Sequence, residues 1–155
     1  MESGSGTDTA QAAYNALVRN HLSPSFRALG FKGSSGNYQL VIAEDGWATL
    51  GLQKWRYSNK AEVRFTVNLQ AVSRAAWAEG RLEAPEWPAR PSPNLDYGVG
   101  DNTRLGLLMN RHERIIEDVW WHVGAEQELE PVASAVVDAV QALGVPWLRE
   151  RAARF

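Results

Sequence analysis

Cysteine is missing altogether from the 155 residues. Its absence rules out disulfides, thiol nucleophiles and every zinc site that uses thiolate, and it suits a reducing compartment. Histidine is scarce. His21, His112 and His122 stand far apart, none at the spacing of a metal-ligand pair. Neither a metal nor a cofactor is therefore expected. An excess of one charge is also lacking: 16 basic side chains face 18 acidic ones, which argues against a general nucleic-acid binder. Long hydrophobic runs are absent too. The most apolar stretch, residues 132–143, is broken by Asp138 and Gln141 and is too short to span a bilayer. The first ten residues carry no apolar core of the signal-peptide kind. The expectation is a cytoplasmic protein with neither membrane nor nucleic acid among its partners.

Catalytic signatures are equally sparse. The segment Gly33-Ser34-Ser35-Gly36 is glycine-rich but lacks the lysine that closes a phosphate loop, and it precedes a strand rather than a helix. There is no G-x-S-x-G elbow. Of the adjacent carboxylates, Glu44-Asp45 belongs to a turn, where acidic residues are ordinary. Glu117-Asp118 sits in an expected strand, whose neighbours point opposite ways. His21 reads as a packed residue on an apolar helix face, and Arg111-His112-Glu113 as a solvated cluster at a turn.

What the chain does hold is enough apolar material for a core. Hydrophobic residues make up 45% and aromatic ones 10%, in a length that normally hides roughly two-thirds of its unfolded surface. Charge is uneven along it. Residues 1–78 carry 8 basic and 5 acidic side chains, a balance of +3, and residues 79–155 carry 8 and 13, a balance of −5.

Read along the chain, residues 1–7 form a flexible leader, and Asp8 or Thr9 caps a helix with Ala13, Tyr14, Leu17, Val18 and Leu22 on its apolar face. Ser23-Pro24 kinks or splits that helix, Ser23 capping the second piece, and Gly30 ends it. A turn over 32–37 precedes a strand at 38–43. A tight turn at 44–46, a strand over 47–55 and a turn at 56–60 follow. Over 61–71, Ala61, Val63, Phe65, Val67, Leu69 and Ala71 alternate with polar residues, so one face of this strand meets the core. Residues 73–79 make a helical turn. The stretch 80–103, with Pro85, Pro88, Pro91 and Pro93, is a long loop of the kind that is functional or mobile. Strands at 104–109 and 115–123 follow. A last helix starts near Pro131 and ends at Gly144, leaving a basic tail over 151–155. This order implies an α+β domain: an antiparallel meander of about five strands with the terminal helices on one face.

The chain resembles a known bacterial family through a series of short motifs in fixed order. These are Phe26 through Phe31 (FRALGF), Leu52-Gln53-Lys54, Arg64 through Leu69 (RFTVNL), Arg104-Leu105-Gly106, Trp120-Trp121 and Val145-Pro146-Trp147-Leu148. The family is the domain of unknown function 4304, and the likeness covers about residues 10–150. It implies a small α+β bacterial protein and supplies no catalytic residues. The family usually shows a small residue soon after the glutamine of the second strand, where this chain has Trp55.

Seven tryptophans are too many for one core. Because Trp120 and Trp121 are adjacent on a strand, they diverge; Trp121 shares its side with Val119 and Val123 and belongs inside, while Trp120 shares its side with Asp118 and His122. The candidate binding residues are Gln53, Arg64, Asn68, Gln70, Arg104, Trp120 and His122, on the polar sheet face beside the long loop. The expected role is a non-catalytic binding module for a protein partner or a small molecule, an immunity protein that neutralises a toxin being one form. The alternative is a small enzyme or ligand sensor with a pocket between sheet and loop.

Overall fold

A computed structural model describes residues 3–42, 44–113 and 118–155. Helix α1 (Ser3–Leu17) passes through a π-helical turn (Val18–Leu22) into α2 (Ser23–Ala28). Six strands follow in an antiparallel sheet: β1 (Phe31–Ser34), β2 (Asn37–Leu40), β3 (Gly46–Lys54), β4 (Glu62–Ser73), β5 (Asp101–Arg104) and β6 (Trp121–Gly124). Helix α3 (Arg74–Glu83) follows β4, and α4 (Leu105–Glu113) follows β5. The chain closes with α5 (Leu129–Ala139), a second π-helical turn (Val140–Gly144) and α6 (Val145–Ala152). The α+β meander with helices at both ends is the architecture that the periodicity implies.

Strand β4 organises the sheet. Val63, Phe65, Val67, Leu69 and Ala71 are all buried, as alternation requires. One edge of β4 pairs with β3 from Gly46↔Ser73 to Lys54↔Phe65. Its other edge is shared: β5 takes the far half (Asn68↔Arg104 to Ala71↔Asp101) and β6 the near half (Glu62↔Gly124 to Phe65↔Trp121). On the core face, Leu17, Leu22 and Phe26 from the N-terminal helices meet Val136, Val140 and Leu148 from the C-terminal ones, all fully buried. Each such side chain contributes about 1.5–3 kcal/mol of burial free energy.

Several local expectations need correction. The helix begins at Ser3, so Asp8 and Thr9 lie inside it rather than capping it; once Ala10 and Tyr14 are anchored in the core, adding a turn to an existing helix costs little. Ser23 does not cap or split the helix. Its hydroxyl is buried and hydrogen-bonds the Tyr38 hydroxyl. Gly144 does not end the last helix either, which continues as α6 to Ala152, and Phe155 of the basic tail packs against the core. At both sites a proline follows the π turn, at the first or second position of the next helical piece. The wider turn accommodates the proline, which lacks an N–H and would clash with the carbonyl four residues back.

The 32–37 segment is a hairpin rather than a plain turn, because Ser35 (φ 56°) and Gly36 (φ 91°) form its two-residue tip. The link from β2 to β3 spans 41–45 instead of a tight turn. Residues 73–79 extend into a ten-residue helix, capped by Ser73, whose hydroxyl accepts from the Ala76 N–H at 3.0 Å. Of the strand expected at 104–109, Arg104 closes β5 and residues 105–109 belong to helix α4, which also places Arg111-His112-Glu113 in a helix. A short apolar run such as Leu105-Gly-Leu-Leu-Met109 fits either period. Gly106 lets the backbone at Val119 pack closely on α4, since a Cβ there would lie 2.5 Å from the Val119 nitrogen. The expected strand over 115–123 is a strand only from Trp121 to Gly124, and residues 115–117, Glu117 among them, lie outside the described residues.

The run from Leu129 to Ala152 is 24 residues and holds an 18-residue window of mean hydropathy 1.3, long and apolar enough by composition to cross a membrane. The 132–143 stretch is thus part of a longer helix than its sequence suggests. Val132, Val136, Val140 and Leu148 from this helix are buried on the sheet, as in the core helix of a soluble domain.

Candidate functional site

The sheet face opposite the helices is divided in two by the loop after α3. Over its upper part the loop lies directly on the strands. Gln70 is 1% exposed and donates to the carbonyls of Leu95 (2.9 Å) and Ser92 (3.3 Å). Asn68 donates to Gln53 at 2.7 Å and to Asn94 at 3.0 Å, and Asn94 donates to the Leu52 carbonyl at 3.2 Å. Gly51 makes this docking possible, because a Cβ there would meet the Asn94 side-chain oxygen at 2.1 Å. Gln53, Asn68 and Gln70 are thus brought together as an internal network. A pocket of about 320 Å³ remains between sheet and loop, lined by Gln53, Asn68, Asn94, Asn102 and Arg104.

A second, smaller core pins the loop. Trp77 is 2% exposed, stacks on Trp87 with ring centroids 4.8 Å apart, and meets the edge of Tyr97 at 4.7 Å. Its indole N–H donates to the carbonyls of Pro88 and Ala89, both at 3.2 Å. Trp47 and Val72 complete the cluster.

Below the loop the same sheet face is open. Here Trp55, Arg64, Asp118, Val119, Trp120 and His122 line a cleft of about 510 Å³. The construction is the same on both sides. Glu62 accepts from Arg64 Nε at 2.7 Å, and the Arg64 guanidinium lies 4.8 Å over the Trp55 ring. Asp118 accepts from Arg104 at 2.8 Å, and the Arg104 guanidinium lies 5.4 Å over the Trp120 ring. Each carboxylate holds a guanidinium, and each guanidinium covers an indole, an attractive arrangement in its own right. His122 Nδ1 lies 3.1 Å from Glu62; a carboxylate only accepts, so that nitrogen carries the proton. The hydrogen bond from Arg64, then that from His122, holds the Glu62 carboxyl below its ordinary value of 4.5. The other oxygen of Asp118, Oδ1, is buried and has no partner among the described residues.

Trp120, just before β6, and Trp121, its first residue, diverge. Trp121 is buried and stacks on Phe65 with centroids 5.9 Å apart, while Trp120 turns to the polar face. Of the seven candidates, Arg64, Trp120 and His122 line the open cleft, Arg104 backs it, and Gln53, Asn68 and Gln70 lie elsewhere, tied to the loop. Trp55, Glu62 and Asp118 were missed as members. Glu62 and Arg64 share a face by period two, which is a readable signal, whereas bringing Trp55 beside Arg64 depends on the β3–β4 register. His21 lies apart from this site, beside Glu130 and Asp138. Among the described residues, no group of three histidine or carboxylate side chains could hold a metal.

No curated protein and no solved structure matches the chain. A family model described as a domain of unknown function (DUF4304) matches residues 22–150. That span takes in every strand, the cleft and the loop, and the chain therefore belongs to this family.

Proposed function

We propose that this chain is a non-catalytic bacterial binding module of the cytoplasm, which recognises a protein partner through the open cleft flanked by Trp55 and Trp120. The observation that carries this reading is the paired carboxylate–guanidinium–indole arrangement on a sheet face that the loop leaves uncovered. Tryptophan and arginine are enriched among the residues that dominate protein–protein affinity, and here the carboxylates already hold the guanidinium groups in place. Both guanidinium charges here are already matched by Glu62 and Asp118, so the surface is amphipathic rather than cationic. This favours a protein surface over a polyanion such as nucleic acid. A toxin-neutralising immunity role is the form of this function that a small α+β binding module fits best, by analogy of build.

The alternative of an enzyme or ligand sensor using the pocket between sheet and loop has less support. Gln53, Asn68 and Asn94 in that pocket bond one another, leaving few polar groups free for a substrate. The test is co-expression with the product of the adjoining gene, followed by capture on the tagged chain. A stoichiometric complex lost in Trp55→Ala/Trp120→Ala is expected. Capture of the same partner undiminished by that double substitution would move the contact surface elsewhere.

A further inference from the structure

A second cleft, of about 480 Å³, lies on the other side of the sheet, between α1–α2 and the tip of the β1–β2 hairpin. Its charge is one-sided, whereas in the tryptophan-lined cleft each guanidinium is matched by a carboxylate. Arg19, Arg27 and Lys54 line it, and no acidic side chain is among the described residues that do so. Neither arginine has an ion pair among the described residues. Among the described residues Lys54 donates to the neutral Gln11, at 3.1 Å, and it lies 5.6 Å over the Tyr14 ring. Three cations facing one concave space, with no counter-charge among the described residues lining it, repel one another, and a bound anion relieves that repulsion.

The remaining lining also suits an anion. Residues 34–36 of the hairpin tip, with two serine hydroxyls, form one wall. This is the glycine- and serine-rich segment that resembles a phosphate loop in composition but not in context. Tyr14 stays protonated well past the ordinary tyrosine range because of its burial, so its hydroxyl is available as a donor. Val18 and Leu52 give an apolar floor, and the volume falls within the range of small-molecule sites, about 300–1,000 Å³.

We infer that this cleft binds a small organic phosphate, its multiply charged phosphate end held by Arg19, Arg27 and Lys54 and its organic part against Val18 and Leu52. A monocarboxylate would neutralise only one of the three cations, whereas a diphosphate matches them and accepts the forked bonds of guanidinium groups. The inference uses none of the residues of the tryptophan-lined cleft, so either site can fail alone.

The probe is inorganic pyrophosphate, titrated calorimetrically into the full chain with ionic strength matched by sodium chloride. Saturable binding at one site per chain is expected. Arg19→Ala/Arg27→Ala should weaken it at least about tenfold, since each charge-assisted bond lost costs that much or more. Arg149→Ala, at an exposed arginine of α6 outside both clefts, should leave it unchanged. Both Arg19 and Arg27 are exposed, so the double variant should melt within about 2 °C of the parent, as surface changes do. Heat no larger than the salt control, or binding that survives the double substitution, overturns the assignment.

Discussion

Replacing Gly80 with alanine tests whether the loop is held by stacked indoles. Gly80 sits inside α3, where an alanine ordinarily stabilises a helix by about 0.5–1 kcal/mol. Here the added Cβ would lie 2.4 Å from the Trp87 ring, closer than atoms can approach, so the ring must move. Moving it off Trp77 forfeits a stacking contact of about 0.5–1.5 kcal/mol. It also gives up part of a burial contribution of about 1.5–3 kcal/mol. The losses exceed the helical gain, and Gly80→Ala should destabilise by about 1 kcal/mol, or roughly 2–4 °C at this chain length. The assay is urea unfolding followed by far-ultraviolet circular dichroism. Repeating it in a Trp87→Ala background closes a double-mutant cycle. With the indole gone, the same substitution should change sign and stabilise by about 0.5–1 kcal/mol. Stabilisation of the parent chain by Gly80→Ala would refute the packing of Trp87 against this helix.

Further outcomes follow from individual residues. Phe65 is fully buried, edge-on to Tyr14 at 5.4 Å and stacked on Trp121; Phe65→Ala should cost roughly 3–5 kcal/mol in denaturant unfolding, and a loss below about 1 kcal/mol would reverse the assignment of faces on β4. Tyr14 has a raised pKa, above the ordinary 10.0, because of burial. Above that pH the unfolded chain releases a proton that the folded chain retains, so stability should fall as pH rises past 10, and less steeply in Tyr14→Phe. Glu62 has a lowered pKa, so its carboxyl resonance should titrate below 4.5, and Arg64→Met should return it toward that value. The bonds it accepts are intact above its unfolded pKa and are lost as pH falls through the folded one.

How much of this was legible in the sequence depends on how far each decision reaches. Strand β4 and the divergence of Trp120 and Trp121 rest on period-two alternation, a local property, and both match the structure. Helix α4 was not legible, because five residues around Gly106 fit a strand or a helix equally well until Val119 packs against that glycine. The strand at Phe31–Ser34 hides behind glycine and serine, which read as a turn although only Ser35 and Gly36 occupy its tip. The unbroken terminal helices were missed because a proline ordinarily stops a helix, and no local feature marks the π turn that absorbs it. For the site, alternation put Arg64, Asn68, Gln70 and Trp120 on one face. It could not show that Asn94 docks beside Gly51 and seals Gln70 beneath the loop, since that contact joins residues some 40 positions apart.

The most direct test of the binding site is a paired measurement on Trp120→Ala: its melting temperature and its dissociation constant for the captured partner, each beside the parent chain. Trp120 is half-buried on the open sheet face, with the Arg104 guanidinium 5.4 Å over its ring, so the melting temperature should drop by less than about 3 °C. A central interface tryptophan carries about 2 kcal/mol or more, so the partner's affinity should fall at least about thirtyfold. A large drop in melting temperature with affinity intact would make Trp120 a packing residue and contradict the site.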